Sequence, residues 1–485
     1  MKVILAGFNV DKSILEKLNK DKKTDSLTPE VISASYARIS RDKRPIDKIR
    51  KDAIKEVEKA RKSNSTIIFK MGHSSIAEHA VFNIDIIDIS RYALEEVEKF
   101  RLCSYTEKSQ RYITLEGSFI LPEELKKTKL EKTFIKTINI QNKAYFYFFE
   151  KLKKYLLDKF KNPKDKKSLT LLEGLAKEDA RYITSLATSS QVGLTSNARN
   201  LELMLRRFAS NSLIEIQKLQ ELIYKEIKDI APSIIRYHKA NNYDKNTYND
   251  LKELTNEILK NKLEKKIIAS QDIELIDYPK DLDKLVAASL IHTSSNLPFK
   301  ECKKIVEGLK EKELEEIFKR SFKYMQFYDP VLREFEYAYF IFNIVLSASC
   351  FAQLKRHRMT TITCQDYDLD LGYTIPPSIK EIGEEKKFKE IIDITNNTYS
   401  LIRKENQKVA NYILTNAHRK RILLGVNARE LYHISRLRED THAQWDIRNL
   451  TNKMTSKLKE IMPLTFKLIC GKDKYNEVYN SFFRE

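Results

Sequence analysis

The sequence predicts an α+β protein of two tandem domains with the same fold, each rich in helices and built on a small mixed sheet. Three observations lead to this prediction. The chain has 485 residues, which is too long for one ordinary hydrophobic core. Segments with strand periodicity alternate with longer segments of helical periodicity. Several short motifs occur twice, in the same order, in the two halves of the chain.

The first half opens with a strand, continues with helices and returns to a strand. Residues Val3 to Phe8 form a short apolar run, and helical patterns follow from Ser13 and over Glu30 to Arg38. Between Phe82 and Ile86, apolar and polar residues alternate, which indicates a strand with one buried face.

Ser90 is a suitable N-cap for a helix that reaches Arg101. After this helix we expect a polar loop that presents four side chains: Ser104, Glu107, Ser109 and Arg111.

In the second half, residues Tyr337 to Leu354 carry no charge. This run contains several polar residues, and its first part is aromatic and β-branched whereas its second part favours helix. We therefore predict a buried strand that continues into a buried helix, and no membrane span. The basic segment Gln353 to Arg358, which includes Arg356 and His357, comes at the end of that helix.

The stretch from Asn427 to Trp445 contains two capping-box patterns, Asn427 with Glu430 and Thr441 with Gln444. It should form two helices with a break near Glu439. In the first helix, Arg429 and His433 are four residues apart and share a face beside the N-terminus, which favours a phosphate or pyrophosphate.

Arg438 follows Asn427 by about three helical turns, so it returns to the same side at the other end of that helix. A second ligand could lie there. Taken alone, either basic stretch is more typical of a solvated C-terminal turn than of a site.

Composition excludes several classes of protein. With 10 glycines and no GxGxxG or GK[ST] pattern, the chain is not expected to be a Rossmann or P-loop enzyme. The net charge of +20 suits an anionic partner, although nucleic acid is not the expected one because much of the lysine is interleaved with acids.

Five cysteines without CxxC spacing, and no signal-peptide pattern, predict a reducing, cytoplasmic compartment. No metal site is expected, because His73 and His79 lack HExxH spacing.

The internal repeat divides the chain. Matching positions are offset by 254 residues at Ala34, 258 at Glu78, 257 at Lys99 and 230 at Asn197. A period of this length indicates two fused domains. We predict a first domain at residues 1–240, a linker at 241–270 and a second domain at 271–485.

Both halves resemble the flavin-dependent thymidylate synthases. In the second half the resemblance lies in QLKRHR and in NAR…H…LR…HAQW; in the first half it lies in His73, Ser75, Glu78 and His79, in SYTEKSQRY, and in a second NAR pattern at Asn197 and Arg199. It implies a dUMP-methylating enzyme that uses FAD, with methylenetetrahydrofolate and NADPH as co-substrates. No nucleophilic cysteine is needed, and Cys364 is more typical of an incidental thiol.

The resemblance also assigns roles. Arg438 would face the N3/O4 edge of the uracil and favour its anionic form. FAD would be held by a set of seven residues: Ser75, Arg356, His357, Arg358, Asn427, Arg429 and His433. The dUMP site would comprise another, overlapping set: Gln353, Arg356, Ser104, Glu107, Ser109, Arg111 and Arg438.

Each half departs from the family pattern in a different place. The first has Phe100 where the Arg-His-Arg segment has His, and Leu203 where the NAR helix has His. In the second, Asp366 and Asp368 stand in the loop where the family has Ser and Arg, and they would repel a phosphate.

These complementary losses predict one composite site per chain, and a homodimer of fused chains in place of a family tetramer. Two alternatives remain open: a degenerate flavin- or nucleotide-binding homologue, and a basic nucleic-acid-binding protein on the same scaffold.

Overall fold

In the computed structural model, residues 1–11, 14, 27–39, 42–161, 163–262 and 272–484 are described. They form two compact units. The first unit consists of residues 1–266 and 376–415, and the second of residues 267–375 and 416–485. The units follow the two sequence halves except for residues 376–415. The predicted boundaries at 240 and 270 stay a prediction, although residues 242–262 of the predicted linker are helical.

Each unit contains a four-stranded sheet. The first sheet has the order β1-β2-β4-β3 and the second β5-β6-β8-β7. The strands are β1 (Lys2–Phe8), β2 (Val81–Ser90), β3 (Ser104–Glu107), β4 (Ser189–Asn197), β5 (Ile273–Asp277), β6 (Tyr339–Ser347), β7 (Thr361–Tyr367) and β8 (Arg419–Asn427). The α+β class is thus confirmed, and the same topology occurs twice.

Helices surround each sheet. Those of the first unit are α1 (Glu30–Arg38), α2 (Ile46–Lys55), α3 (Val57–Ser65), α4 (Arg91–Val97), α5 (Leu130–Lys159), α6 (Lys166–Ala180), α7 (Ala198–Ala209), α8 (Ile214–Ile227), α9 (Asn242–Lys262), α14 (Pro377–Glu381), α15 (Glu385–Glu405) and α16 (Gln407–Ala410). Those of the second unit are α10 (Leu282–Thr293), α11 (Phe299–Glu307), α12 (Glu311–Phe322), α13 (Ala348–Leu354), α17 (Ala428–Arg438), α18 (Trp445–Ile461) and α19 (Tyr475–Arg484).

The predicted strand patterns have their expected burial. Phe82 and Ile86 on β2 are fully buried, whereas Asn83 and Asp85 between them are exposed. The alternation arises because successive side chains of a strand point to opposite faces. The predicted helix at Glu30–Arg38 is α1, and the uncharged run is β6 followed by α13. The helix predicted from Ser13 lies outside the described residues, apart from Ile14.

Backbone hydrogen bonds repeat between the two units. In the first unit the Tyr92 amide donates to the Leu186 carbonyl at 2.9 Å. The equivalent bond in the second unit joins the Ser349 amide to the Asn416 carbonyl at 3.0 Å. The matching residues of β2 and β6 are 258 positions apart at the start of the strands, at Val81 and Tyr339, and 257 apart at the end, at Ser90 and Ser347. The extra residue lies in a β-bulge of β2 around Asp88, whose φ is 57°.

Four local expectations were wrong. The sheets are antiparallel throughout the described strands instead of mixed, because β2 runs opposite to both β1 and β4, and β3 runs opposite to β4. The strands of the second sheet pair in the same way. The helix capped by Ser90 ends at Val97, not at Arg101; the Tyr105 hydroxyl donates to the Val97 carbonyl at 2.9 Å and thereby satisfies the last turn.

The expected loop at Ser104 begins as the edge strand β3. Thr441 does not cap a helix: Gln444 is the N-cap of α18, and its side chain accepts the amides of Asp446 and Ile447. No helix among the described residues is long and apolar enough to cross a membrane.

The break between α17 and α18 depends on close backbone packing at Gly471. A Cβ added there would lie 2.7 Å from the Asp440 nitrogen and 2.8 Å from the Glu439 carbonyl carbon. Backbone atoms cannot rotate out of the way as a flexible side chain can.

We therefore expect Gly471→Ala to lower the free energy of unfolding by about 1–3 kcal/mol, as overpacking does. The control is Gly308→Ala, where the nearest atom to an added Cβ is 3.6 Å away. Urea unfolding of both variants measures the difference. Equal stability of the two would contradict this account of the break.

Candidate functional site

The site in the second unit begins where β6 becomes α13. Ser347 is the N-cap, with its hydroxyl accepting the Cys350 amide at 2.9 Å and donating to Asp446 at 2.6 Å. All seven residues of α13 are buried. The strand changes to a helix at Ser347 because β-branched and aromatic residues before the cap favour strand, whereas small or unbranched residues after it favour helix. This junction fixes the direction in which His357 leaves the helix end.

The second element of the site is α17. Asn427 is its N-cap and accepts the Glu430 amide at 2.8 Å. On the buried side of the helix, Tyr432 packs against Phe322 and Phe335 and donates its hydroxyl proton to the Thr465 carbonyl at 2.8 Å. This anchor holds the polar side of α17, with His433 and Arg438, in a fixed orientation.

The two elements meet through a hydrogen bond between Arg438 and His357. Arg438 Nε donates to His357 Nε2 at 2.9 Å, and Arg438 Nη2 donates to the Gln353 carbonyl at 3.2 Å. Arginine can only donate, so His357 Nε2 must be an acceptor. His357 is therefore a neutral imidazole with its proton on Nδ1.

The surroundings of His357 favour this neutral form. Its side chain is almost fully buried, and burial holds the pKa of His357 well below its ordinary value, with the charge of Arg438 acting in the same direction. The imidazole therefore stays an acceptor for Arg438 at neutral pH.

Gln353 contributes a buried acceptor beside the arginine. Its Nε2 lies 3.2 Å from Gln444 Oε1, the atom that also caps α18. Gln353 Oε1 is buried and has no hydrogen-bond partner among the described residues. A buried carbonyl oxygen in this state is suited to a ligand N–H donor.

Exposed side chains flank the buried His357 and the half-buried Arg438. Arg356 and Arg358 precede and follow His357 and are exposed, as is His433, whose ring centre lies 5.6 Å from that of His357. Arg356 also donates from Nε to the Ala352 carbonyl at 3.3 Å. The arrangement favours an anionic ligand over the end of α13.

His357, Glu430 and His433 form the one group within the described ranges whose ligand atoms are close enough to hold a metal ion. Glu430 Oε1 lies 3.7 Å from His357 Nδ1. The bond from Arg438 requires the proton to be on Nδ1, whereas a metal would require a lone pair there. The absence of a metal site stays a prediction.

Arg429 and Asn427 lie at the opposite end of α17 from Arg438. Arg429 donates to the Val331 carbonyl and forms a 2.9 Å ion pair with Glu336. The first copy has the equivalent ion pair between Arg199 and Glu78. Because this pair occurs in both copies, it is typical of a fold contact.

The predicted residues of the first half lie in the first unit, around β3 and the loop after it. Glu107 is buried in an ion pair with Arg91 and accepts from Ser190 at 3.3 Å. Arg111 pairs with Glu178 on α6, and the Ser109 hydroxyl accepts the Arg111 amide at 3.2 Å.

Ser104 is an exposed residue of β3, and Ser75 lies in the 3₁₀ segment Ser74–His79. The sequence reasoning missed Arg181, a buried cation whose pKa is lowered chiefly by burial and also by the charge of Arg111. Arg181 comes two residues after the charged run Lys177 to Asp179, so no signal in the sequence indicated that this arginine is buried.

The first copy has an apolar pair where the second has the arginine and histidine. Phe100 and Phe208 pack edge to face, with ring centres 5.7 Å apart. By the offsets of 257 and 230 residues they correspond to His357 and Arg438. The first copy thus differs at His357 and at three positions of α17, namely Glu430, His433 and Arg438; the corresponding residues are Phe100, Asn200, Leu203 and Phe208.

Comparisons with known proteins match both copies. A model of the family described as "Thymidylate synthase complementing protein" matches residues 24–233 and 274–464. The flavin-dependent thymidylate synthase of Clostridium tetani is 29% identical over 215 residues, which are 43% of this chain and 82% of that protein. The corresponding enzyme of Sulfolobus acidocaldarius is 32% identical over 204 residues, 40% of this chain and 75% of the relative.

A longer relative aligns with most of the chain. The "UPF0159 protein" of Chlamydia muridarum is 24% identical over 431 residues, 84% of this chain and 80% of its own length. With the family model matching the greater part of the sequence and doing so in both halves, this chain belongs to the thymidylate synthase complementing protein family.

Proposed function

We propose that this protein catalyses the reductive methylation of dUMP to dTMP, with FAD as cofactor and methylenetetrahydrofolate and NADPH as co-substrates. The observation that carries the proposal is the Arg438 guanidinium, held by His357 at 2.9 Å and by the Gln353 carbonyl at 3.2 Å. Relatives named flavin-dependent thymidylate synthases support the same reaction class.

Arg438 would act on the pyrimidine. A cation held at the N3/O4 edge of uracil stabilises its anionic form, which is the more nucleophilic at C5. Two bonds to the protein limit the rotation of the guanidinium, so little reorganisation is needed when charge develops on the base. The buried Gln353 Oε1 supplies an acceptor next to this cation for an N–H of a ligand.

The residues around His357 fit an anionic cofactor such as FAD. Arg356 and Arg358 are exposed cations, and His433 offers an exposed imidazole beside them. They would hold phosphate oxygens. Asn427, Arg429 and Ser75 belong to the proposed cofactor set through the family resemblance alone, because Arg429 is paired with Glu336 and Asn427 caps α17. When bound, FAD supplies the hydride for the reaction. The chain's own task is to orient the pyrimidine and to neutralise charge.

The first prediction concerns Arg438. We expect Arg438→Ala to retain flavin but to weaken dUMP binding by about 2–4 kcal/mol, the scale of removing one partner of a buried charged contact. Arg320→Ala is the control, because Arg320 is 71% exposed on α12. Calorimetric titration with dUMP measures both. An unchanged dUMP affinity in Arg438→Ala would assign this arginine another task.

The second prediction uses the first copy as a template. The double variant His357→Phe/Arg438→Phe gives the second copy the same apolar pair that Phe100 and Phe208 form in the first copy. We expect it to fold with a free energy of unfolding within about 2 kcal/mol of the wild type at pH 7, since apolar replacements of buried polar pairs are often tolerated. It should no longer bind dUMP.

The double variant also tests the protonation of His357. Because burial lowers the pKa of His357 in the folded state, only the unfolded chain takes up this proton as the pH falls below about 6.5. The wild type should therefore lose stability between pH 7 and pH 5 relative to the variant. Urea unfolding at the two pH values measures this, and parallel curves would contradict a buried neutral His357.

The composite site derived from the sequence stays a prediction, and the number of FAD molecules bound per chain tests it. We expect one FAD per chain, with Arg111→Ala and Arg356→Ala each abolishing dTMP formation. Lys99→Ala and Asp368→Ala are the controls and should have little effect. Two flavins per chain, or equal losses in the controls, would refute a single shared site. A colourless protein that takes up no FAD would refute the proposed function itself.

A further inference from the structure

We propose that Glu430 is a positioning residue, which fixes the tautomer of His357 and through it the orientation of Arg438. The inference deepens the proposed function, because Arg438 is the residue assigned to the pyrimidine. It concerns a side chain that the sequence reasoning treated only as part of a capping box.

The bond from Arg438 decides which ring nitrogen of His357 carries the proton. Arg438 Nε donates to His357 Nε2 at 2.9 Å, and a guanidinium has no acceptor atom. The bond exists only while Nε2 keeps its lone pair. The neutral ring must then carry its proton on Nδ1, on the side away from Arg438.

Glu430 lies on the Nδ1 side of His357. Glu430 Oε1 is 3.7 Å from His357 Nδ1, and the side chains of both residues are largely buried, at 10% and 2% exposure. Burial raises the pKa of Glu430, and the charge of Arg429 acts in the opposite direction. In its ionised form the carboxylate accepts hydrogen bonds and cannot donate them. It therefore favours the tautomer with its proton on Nδ1. Contacts of this length in a ligand-free site commonly shorten when the ligand binds.

The Glu430 side chain differs from that of an ordinary helix-capping residue. Asn427 does cap α17 through the Glu430 amide at 2.8 Å, but the Glu430 carboxylate faces His357. In the first copy the equivalent residue is Asn200, whose side-chain nitrogen donates to Asn197 Oδ1 at 2.9 Å. That cap is thus built without a carboxylate.

The carboxylate is absent in the copy that also lacks the histidine and the arginine. Glu430, His357 and Arg438 correspond to three residues that cannot form this arrangement: Asn200, Phe100 and Phe208. Their joint replacement indicates that the three polar side chains act together.

Loss of the carboxylate has a definite consequence. Without it, only Arg438 disfavours the tautomer protonated on Nε2, which turns an N–H toward the N–H of Arg438. Two donors then face each other, and the bond from Arg438 Nε to His357 is lost, so the guanidinium is held less firmly in its orientation. The folded structure can survive this change while the orientation of Arg438 does not.

The test combines a spectroscopic readout with kinetics in the full-length flavin-loaded protein. Glu430→Ala, Glu430→Gln and the first-copy control Asn200→Ala are labelled with ¹⁵N-histidine. Long-range ¹H–¹⁵N correlation spectra report which ring nitrogen of His357 carries the proton, with His357→Phe assigning the signal. Values of kcat and KM for dUMP are measured in parallel.

We expect Nδ1 protonation in the wild type and in Asn200→Ala, and a shift toward Nε2 protonation in Glu430→Ala. The kcat/KM for dUMP should fall roughly 10- to 100-fold in Glu430→Ala, as when a supporting hydrogen-bond partner is removed. Glu430→Gln keeps an acceptor oxygen and should recover part of both effects. An unchanged tautomer in Glu430→Ala would overturn the proposal, whatever the kinetics.

Different results would contradict the positioning role of Glu430 and the proposed function. If no variant and no wild-type sample forms dTMP, the proposed function is wrong, but the tautomer shift in Glu430→Ala still decides the role of Glu430. If the wild type forms dTMP and Glu430→Ala matches it in kcat/KM, the positioning role is wrong and the function stands.

Discussion

The hydrogen bond between Arg438 and His357 is the constraint on which the rest of the second unit depends. It requires a neutral imidazole, and burial at the end of α13 keeps the imidazole neutral. It also requires the ends of α13 and α17 to meet, which the Ser347 cap and the Tyr432 anchor ensure. The capping bond of Gln444 and the backbone contact at Gly471 then hold the chain that leaves Arg438.

The duplication provides an internal reference for this interaction. Both copies share strand order, caps and an ion pair between the NAR helix and the segment before the second strand. They differ where the chemistry is proposed, since Phe100 and Phe208 replace the histidine and the arginine. A polar pair such as the buried His357 and the half-buried Arg438 is seldom more stabilising than a well-packed apolar pair of similar volume. Its presence in one copy is therefore better explained by function than by stability.

Much of this could be predicted from the sequence because the relevant signals are local. Alternation identified β2, the switch from β-branched to helix-forming residues identified the junction of β6 and α13, and Asn427 identified the start of α17. The end of α4 was missed because the hydroxyl of Tyr105, a residue of the following strand, bonds to its last turn. The cap of α18 was missed because Gln444 is itself the N-cap and does not complete a capping box with Thr441.

The site was predicted in outline, but its internal contacts were not. The sequence pointed to His357, Gln353 and Arg438 through family motifs, and these three do lie together. It could not reveal that Glu430 faces His357, because a residue at that helix position more commonly completes a cap. It also could not predict that residues 376–415 belong to the first unit, since this depends on packing between segments far apart in the chain.

The most direct test of the central claim is product formation by the purified protein. Wild-type protein is incubated anaerobically with FAD, NADPH, methylenetetrahydrofolate and dUMP, and dTMP is quantified beside His357→Phe/Arg438→Phe. The account predicts dTMP with the wild type and none with the double variant. It would be contradicted if the wild type bound flavin and dUMP but formed no dTMP, or if the double variant formed dTMP at the wild-type rate.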